Sequence, residues 1–245
     1  MTATLTEAST ALHAQWDRLR AWVVDVVDDA AGLQVGDAPS VLEGWTVTAL
    51  VAHVGRAMDA LAACTPLPAG TVPLTLAEYL GTYAGRSADI AETTRALAAQ
   101  VAGDPIGWID DRAAAAFAAL DAYGHAGDTV VQARRGPVRL STMTVSRVVE
   151  LVVHADDLFV SVRRVPGAGA GPDPVEPGAL RLVADELLAI VVARGGWDLE
   201  VTDARTWVRL ATGREPYDVD VLATALAPRW TGDSLPDLGR MLPVL

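Results

Sequence analysis

Glu150 and His154 stand four residues apart in Val145-Ser-Arg-Val-Val-Glu-Leu-Val-Val-His-Ala-Asp-Asp-Leu-Phe-Val, a run that is apolar almost all round. A helix of that composition is normally buried. An unpaired carboxylate inside it costs several kcal/mol or titrates to its neutral form. Residues four apart share one face, one turn from each other. A shared cation is the cheapest way to keep both buried, and a carboxylate oxygen with an imidazole nitrogen suits zinc and its neighbours. Two ligands rarely make a site. His53, in Leu50-Val-Ala-His-Val-Gly, sits in equally apolar company on another helical stretch. Antiparallel bundle helices can bring it against the Glu150/His154 face. The expected result is a His-Glu-His site with at least one position open to water or substrate. Asp157, one turn beyond His154, is the expected acceptor for that ring's other nitrogen. Simple pairing of Glu150 with Arg147 is the plainer alternative, and spacing alone leaves it open.

The remaining reactive types read more plainly. His13 lies early on the first helix and His125 follows Gly124 in a turn, so both read as ordinary polar residues. Cys64 is too far along its helix axis from His53 to share a metal, and reads as a small buried hydrophobe. Trp45, beside the second helix, can border a pocket. Arg134-Arg135 reads as a solvated turn.

The elements that must position these groups follow from period and punctuation. Residues 5–31 read as a helix ended by Gly32, with Leu12, Trp16, Leu19, Val23, Val26 and Val27 at three- and four-residue steps. A second runs from the N-cap Thr46 to about Cys64, a third over 75–101 and a fourth over 105–123. Residues 128–140 read as a hairpin around Arg135-Gly-Pro, and 142–163 as the helix of Glu150 and His154. The Pro/Gly-rich stretch 165–178 reads as a linker. It divides a bundle over 1–164 from a small α/β domain over 179–245. In the latter, 179–194 reads as a helix, Trp197/Leu199/Val201 and Val208/Leu210 as short strands, and 219–226 as a short helix. About 65 residues without a disulfide is small, so this part is expected to lean on the first.

Composition bounds the partners. The chain has 245 residues, 51% of them hydrophobic, with a net charge of −12. That is globular and argues against nucleic acid or anionic lipid as a partner. Every one of the 19 basic residues is arginine, so lysine chemistry is excluded. One cysteine excludes an internal disulfide framework. The start shows no signal peptide and no run is long enough to span a membrane. A cytoplasmic monomer or weak homodimer acting on a small-molecule substrate is the expectation.

Leu42-Glu-Gly-Trp-Thr-Val-Thr-Ala-Leu-Val-Ala-His53, followed by Arg147-Val-Val-Glu150-Leu-Val-Val-His154-Ala-Asp-Asp-Leu, resembles the mycothiol-dependent maleylpyruvate isomerase family of DinB-like metalloproteins. The resemblance covers the first 165 residues well. Trp207-Val-Arg-Leu-Ala-Thr-Gly-Arg214 and Gly239-Arg-Met-Leu-Pro resemble its C-terminal α/β domain less specifically. It implies a mainly α protein, a four-helix bundle holding a divalent metal, usually zinc, at the positions of His53, Glu150 and His154. It implies mycothiol as thiol cosubstrate, with the thiolate adding to a small electrophile for S-transfer or cis–trans isomerisation. Arg86 sits where the family often carries an arginine near the site. Arg86 and Arg229 are the catalytic candidates for holding an acidic substrate, and Trp45 and Arg214 the candidates for contacting the cosubstrate. One position departs: Ala49 stands where the family commonly has aspartate, which removes a reciprocal cap for Thr46. Two rivals remain at this stage: a thiol-independent Lewis-acid isomerase, cyclase or hydrolase, and a non-catalytic ligand-binding bundle.

Overall fold

The computed structural model describes residues 3–28, 35–82, 87–230 and 234–244. Thr4 caps α1 (Leu5–Val23) in a reciprocal capping box with Glu7, and a π-helical turn continues it over Val24–Asp28. The expected stop at Gly32 lies outside the described residues. Ala8, Leu12, Trp16, Leu19 and Val23 form the buried stripe of α1. Thr46 caps α2 (Val47–Ala62) by accepting from Ala49 N–H at 3.1 Å. With alanine at position 49, only that half of the box forms.

The helix expected over 75–101 is two: α3 (Leu76–Gly81) and α4 (Ser87–Val101). Thr82 follows α3 and folds its hydroxyl back onto Tyr79 C=O, and residues 83–86 before α4 lie outside the described residues. Asp104 caps α5 (Pro105–Gly124), whose first residue is a proline that needs no N–H partner. β1 (Thr65–Pro66), β2 (Val130–Ala133) and β3 (Gly136–Arg139) form an antiparallel sheet in that order. The β2–β3 hairpin turns at Arg134-Arg135, with Ala133 opposite Gly136. Arg134 is not merely solvated, since it pairs with Asp59 at 2.8 Å.

The helix α6 (Leu140–Val162) is the axis of the fold, buried on nearly every side. With α1, α2 and α5 it forms the expected four-helix bundle, and α4 lies along α2 and α5. Polar groups on α6 are absorbed locally: Thr144 and Ser161 hydroxyls each donate one turn back, to Leu140 and Asp157 carbonyls.

Residues 163–176 are irregular but not a free tether. Buried Gln15 uses both ends of its amide on them, donating to Pro174 C=O and accepting from Glu176 N–H. Trp22 Nε1 donates to Ala170 C=O at 2.7 Å. Then α7 (Pro177–Gly195) packs on α1 and α6. β4 (Leu199–Val201) pairs antiparallel with β5 (Leu226–Pro228), and α9 (Val219–Ala225) precedes β5. The segment read as a strand at Val208/Leu210 is instead α8 (Ala204–Ala211), capped by Asp203. Trp207, Val208, Leu210 and Ala211 are its buried face, a helical spacing that the local alternation around Arg209 hides. Trp207 of α8 is fully buried and donates Nε1 to Ala184 C=O of α7 at 2.9 Å.

Candidate metal centre

Two helices bring the expected ligands together. His53 of α2 and Glu150 and His154 of α6 place one ligand atom each within 4.8 Å of one another. Glu150 Oε2 lies 3.6 Å from His53 Nε2 and 3.3 Å from His154 Nε2. Zinc–nitrogen bonds of about 2.0–2.1 Å put tetrahedral donors about 3.3 Å apart. Both imidazole nitrogens therefore stand near zinc-ligand spacing from the Glu150 oxygen, and two nitrogens and one oxygen make up the donor set. His53 and Glu150 each keep 13% side-chain exposure, so the cluster reaches solvent on that side. Trp45 walls the same edge, its ring 5.0 Å edge-on from His53.

The outward ring nitrogens are both engaged, which leaves both Nε2 atoms turned inward. His154 Nδ1 lies 3.0 Å from Asp157 Oδ2, as the spacing anticipates. His53 Nδ1 lies 3.3 Å from Thr94 Oγ1 of α4, which also accepts from Arg56 at 3.4 Å. Thr94 is the residue that sequence reasoning missed. Its only signal is a polar side chain four residues after Ile90 and seven before Val101, on the inward stripe of α4. Arg147, the alternative partner of Glu150, is also present: buried, donating to Ala57 C=O at 3.0 Å, with Nη2 4.0 Å from Glu150 Oε1. The carboxylate thus faces two imidazoles and one guanidinium.

Electrostatics follow from burial and these partners. Burial pushes His53 down, and the bond and charge of Glu150 only partly offset it, opposed also by the charges of His154 and Arg56. Burial would lower His154 too, but its bonds to Asp157 and Glu150 win and raise it. Burial would raise Glu150, but bonds from His154 and His53 and the charge of Arg147 hold it well below the usual carboxylate range. Asp157 is likewise lowered: bonding to His154 and the Arg214 charge exceed its desolvation. The two ring nitrogens of His154 each face one carboxylate, Nδ1 that of Asp157 and Nε2 that of Glu150, which is why its imidazolium form is favoured.

The other candidates divide. Arg214 reaches this neighbourhood, but toward Asp157: Nη2 lies 3.1 Å from Oδ2 and Nε 3.4 Å from Oδ1. Arg229 does not reach it. Its Nε donates to Leu199 C=O and pairs with Asp198 at 3.3 Å, at the β4–β5 sheet. Arg86 lies outside the described residues. His13 stacks on Phe117 with centroids 4.0 Å apart, and His125 bonds back to Asp121 C=O, so neither joins the cluster.

Cys64 is 1% exposed and its thiol, bonded to Ala60 C=O, is pushed up to about 11 by burial. At pH 8 about one molecule in a thousand then carries a thiolate. An aromatic disulfide reagent is expected to find no fast thiol in the folded chain and one after denaturation. A fast stoichiometric reaction in the native state would contradict that burial.

No helix among the described residues is long and apolar enough to cross a membrane. No curated protein and no solved structure matches the chain significantly. The family described as the mycothiol maleylpyruvate isomerase N-terminal domain matches residues 12–159. That stretch runs from α1 into α6 and contains Trp45, His53, Thr94, Glu150, His154 and Asp157. With more than half of its length matched and the cluster inside the match, the chain belongs to the mycothiol maleylpyruvate isomerase N-terminal domain family.

Proposed function

We propose that this chain is a divalent-metal enzyme that activates mycothiol for transfer to, or thiol-assisted isomerisation of, a small electrophilic substrate. The observation that carries the reading is the convergence of His53 Nε2, Glu150 Oε2 and His154 Nε2 at ligand spacing while both Nδ1 atoms are tied elsewhere. Those three side chains would hold the ion, and zinc fits the donor set best. When bound, the ion supplies Lewis acidity that favours the anionic form of a thiol near neutral pH. The chain has to borrow its nucleophile, since it has no lysine and its single thiol is buried.

The protein's own groups do the rest. Asp157 fixes the His154 ring with Nε2 inward, and Thr94 does the same for His53. Arg147 offsets the Glu150 charge in the apolar interior. Trp45 screens the open edge from water. We take residues 1–164 as the unit that carries this chemistry and 179–245 as a smaller one docked on it.

Turnover of maleylpyruvate by zinc-loaded protein is the test, following both isomer and free mycothiol. Turnover that needs mycothiol without consuming it indicates isomerisation; stoichiometric thiol loss with another electrophile indicates transfer. Activity that persists without any thiol would replace this reading by plain Lewis-acid catalysis.

Zinc affinity is expected to depend on pH. The ligands must be deprotonated to bind, and His154 holds its proton more tightly than usual. Affinity should fall as pH drops through the histidine range, by about tenfold per pH unit for each proton displaced. Competition against a chromophoric chelator at several pH values reads this, and a pH-independent Kd would contradict it.

A further inference from the structure

Arg214 lies 57 residues beyond Asp157, outside the bundle, yet its guanidinium meets that buried carboxylate edge on. Asp157 is 2% exposed, and the same Oδ2 that Arg214 contacts is the atom facing His154 Nδ1. The route by which Arg214 arrives is built into the end of α8. Gly213 takes φ +71°, a left-handed conformation that costs glycine no Cβ clash. Gly213 N–H then bonds Leu210 C=O, and Arg214 N–H bonds Arg209 C=O at 2.8 Å. This is a Schellman turn, and it reverses the chain. Arg214 Nη1 also donates to Thr212 C=O at 3.0 Å, so the guanidinium is held from its own side. One turn up α8, Arg205 and Arg209 clasp Asp156, at 3.1 and 2.7 Å. Two adjacent acids of α6 therefore receive the docked helix, but only Asp157 is bonded to a ligand of the centre.

We propose that Arg214 is a positioning residue: through Asp157 it fixes the ring orientation and tautomer of His154, so that the docked segment after α8 sets the affinity of the centre for its ion. This rests on the metal-centre reading given above and assigns Arg214 a role other than contact with the cosubstrate. A carboxylate with one partner can rotate about its terminal bond, whereas a guanidinium on both its oxygens pins it. Ligand orientation held in this way is worth about 10–100-fold in metal affinity when its support is removed.

Zinc alone, titrated into the metal-free full chain against a chromophoric chelator, is the probe. Arg214→Ala is expected to weaken binding by about tenfold, and Arg214→Lys to recover part of the loss. Arg205→Ala, which removes ion pairs to Asp156 and Asp173 and no contact with Asp157, is the control and is expected to bind zinc as the wild type does. In parallel, nitrogen-15 histidine spectra of the metal-free proteins follow His154 itself. Its Nδ1 proton is expected to exchange slowly in the wild type and in Arg205→Ala, and quickly in Arg214→Ala. Unchanged zinc affinity and Nδ1 exchange in Arg214→Ala would overturn the assignment, as would an equal loss in Arg205→Ala. Should Arg214→Ala not fold, Arg214→Lys decides by the same two readouts. If the wild type takes up no zinc, the metal-centre reading fails on its own, and the histidine spectra still judge the link from Arg214 to His154.

Discussion

Exchanging Glu150 for glutamine is expected to give a folded chain that no longer retains zinc. Glu150 is the only anionic ligand of the three, and its Oε2 is the donor nearest to both imidazoles. An amide oxygen carries no net charge to offset the ion in an apolar interior. The loss should exceed the roughly 10–100-fold expected for a supporting residue. The metal-free fold should lose some stability as well, because His154, His53 and Arg147 together favour the ionised Glu150, while the amide oxygen can still accept from the rings. Elemental analysis after gel filtration should find about one zinc per wild-type chain and a small fraction of that in the variant. Thermal unfolding gives an independent readout: zinc at a thousandfold excess over Kd stabilises the wild type by about 4 kcal/mol, and the variant should show no such gain. Equimolar zinc retained by Glu150→Gln would mean that the ion sits elsewhere.

Trp207→Ala is expected to produce the largest loss of stability. The side chain is fully buried between α8 and α7, and its ring nitrogen satisfies Ala184 C=O. Truncating a buried tryptophan costs about 3–5 kcal/mol, from lost transfer energy and the cavity left behind. Set against a typical total of about 5–15 kcal/mol, that is a large part of the whole. The urea midpoint should fall accordingly. Zinc affinity should fall with it, because α8 is what delivers the turn at Gly213 and, beyond it, Arg214. A loss below about 1 kcal/mol would mean that α7 and α8 close over the gap.

Much of this arrangement was readable before any coordinates. Glu150 and His154 betray themselves because charged and titratable groups do not lie in an all-apolar helix without a partner, and His53 repeats the anomaly a hundred residues earlier. Asp157 follows from the helical period alone. What escaped depends on contacts between elements. Thr94 looks like any helix-surface threonine until α4 is laid along α2 and its hydroxyl meets His53. Arg214 reads as a contact to the cosubstrate, and its bond to Asp157 is hidden because that partner is 57 residues upstream and a left-handed glycine turns the chain toward it. Val208 and Leu210 alternate around Arg209 in a window too short to separate a strand from a helix. The evidence for helix lay in Trp207 and Ala211, one turn apart on the same face, and in Asp203 as the cap. The single helix read over 75–101 divides after Gly81, and the apolar period continues in α4 without marking that break.

Cobalt substitution examines the metal and the thiol at once. The metal-free chain should take up one cobalt ion per molecule and develop the visible absorption of a low-coordinate nitrogen–oxygen site. Added mycothiol should then produce a sulfur-to-cobalt charge-transfer band in the near ultraviolet, saturating at one equivalent, and Glu150→Gln should show neither signal. A cobalt spectrum indifferent to mycothiol, or one that survives loss of the Glu150 carboxylate, would contradict a thiol-activating centre at His53, Glu150 and His154.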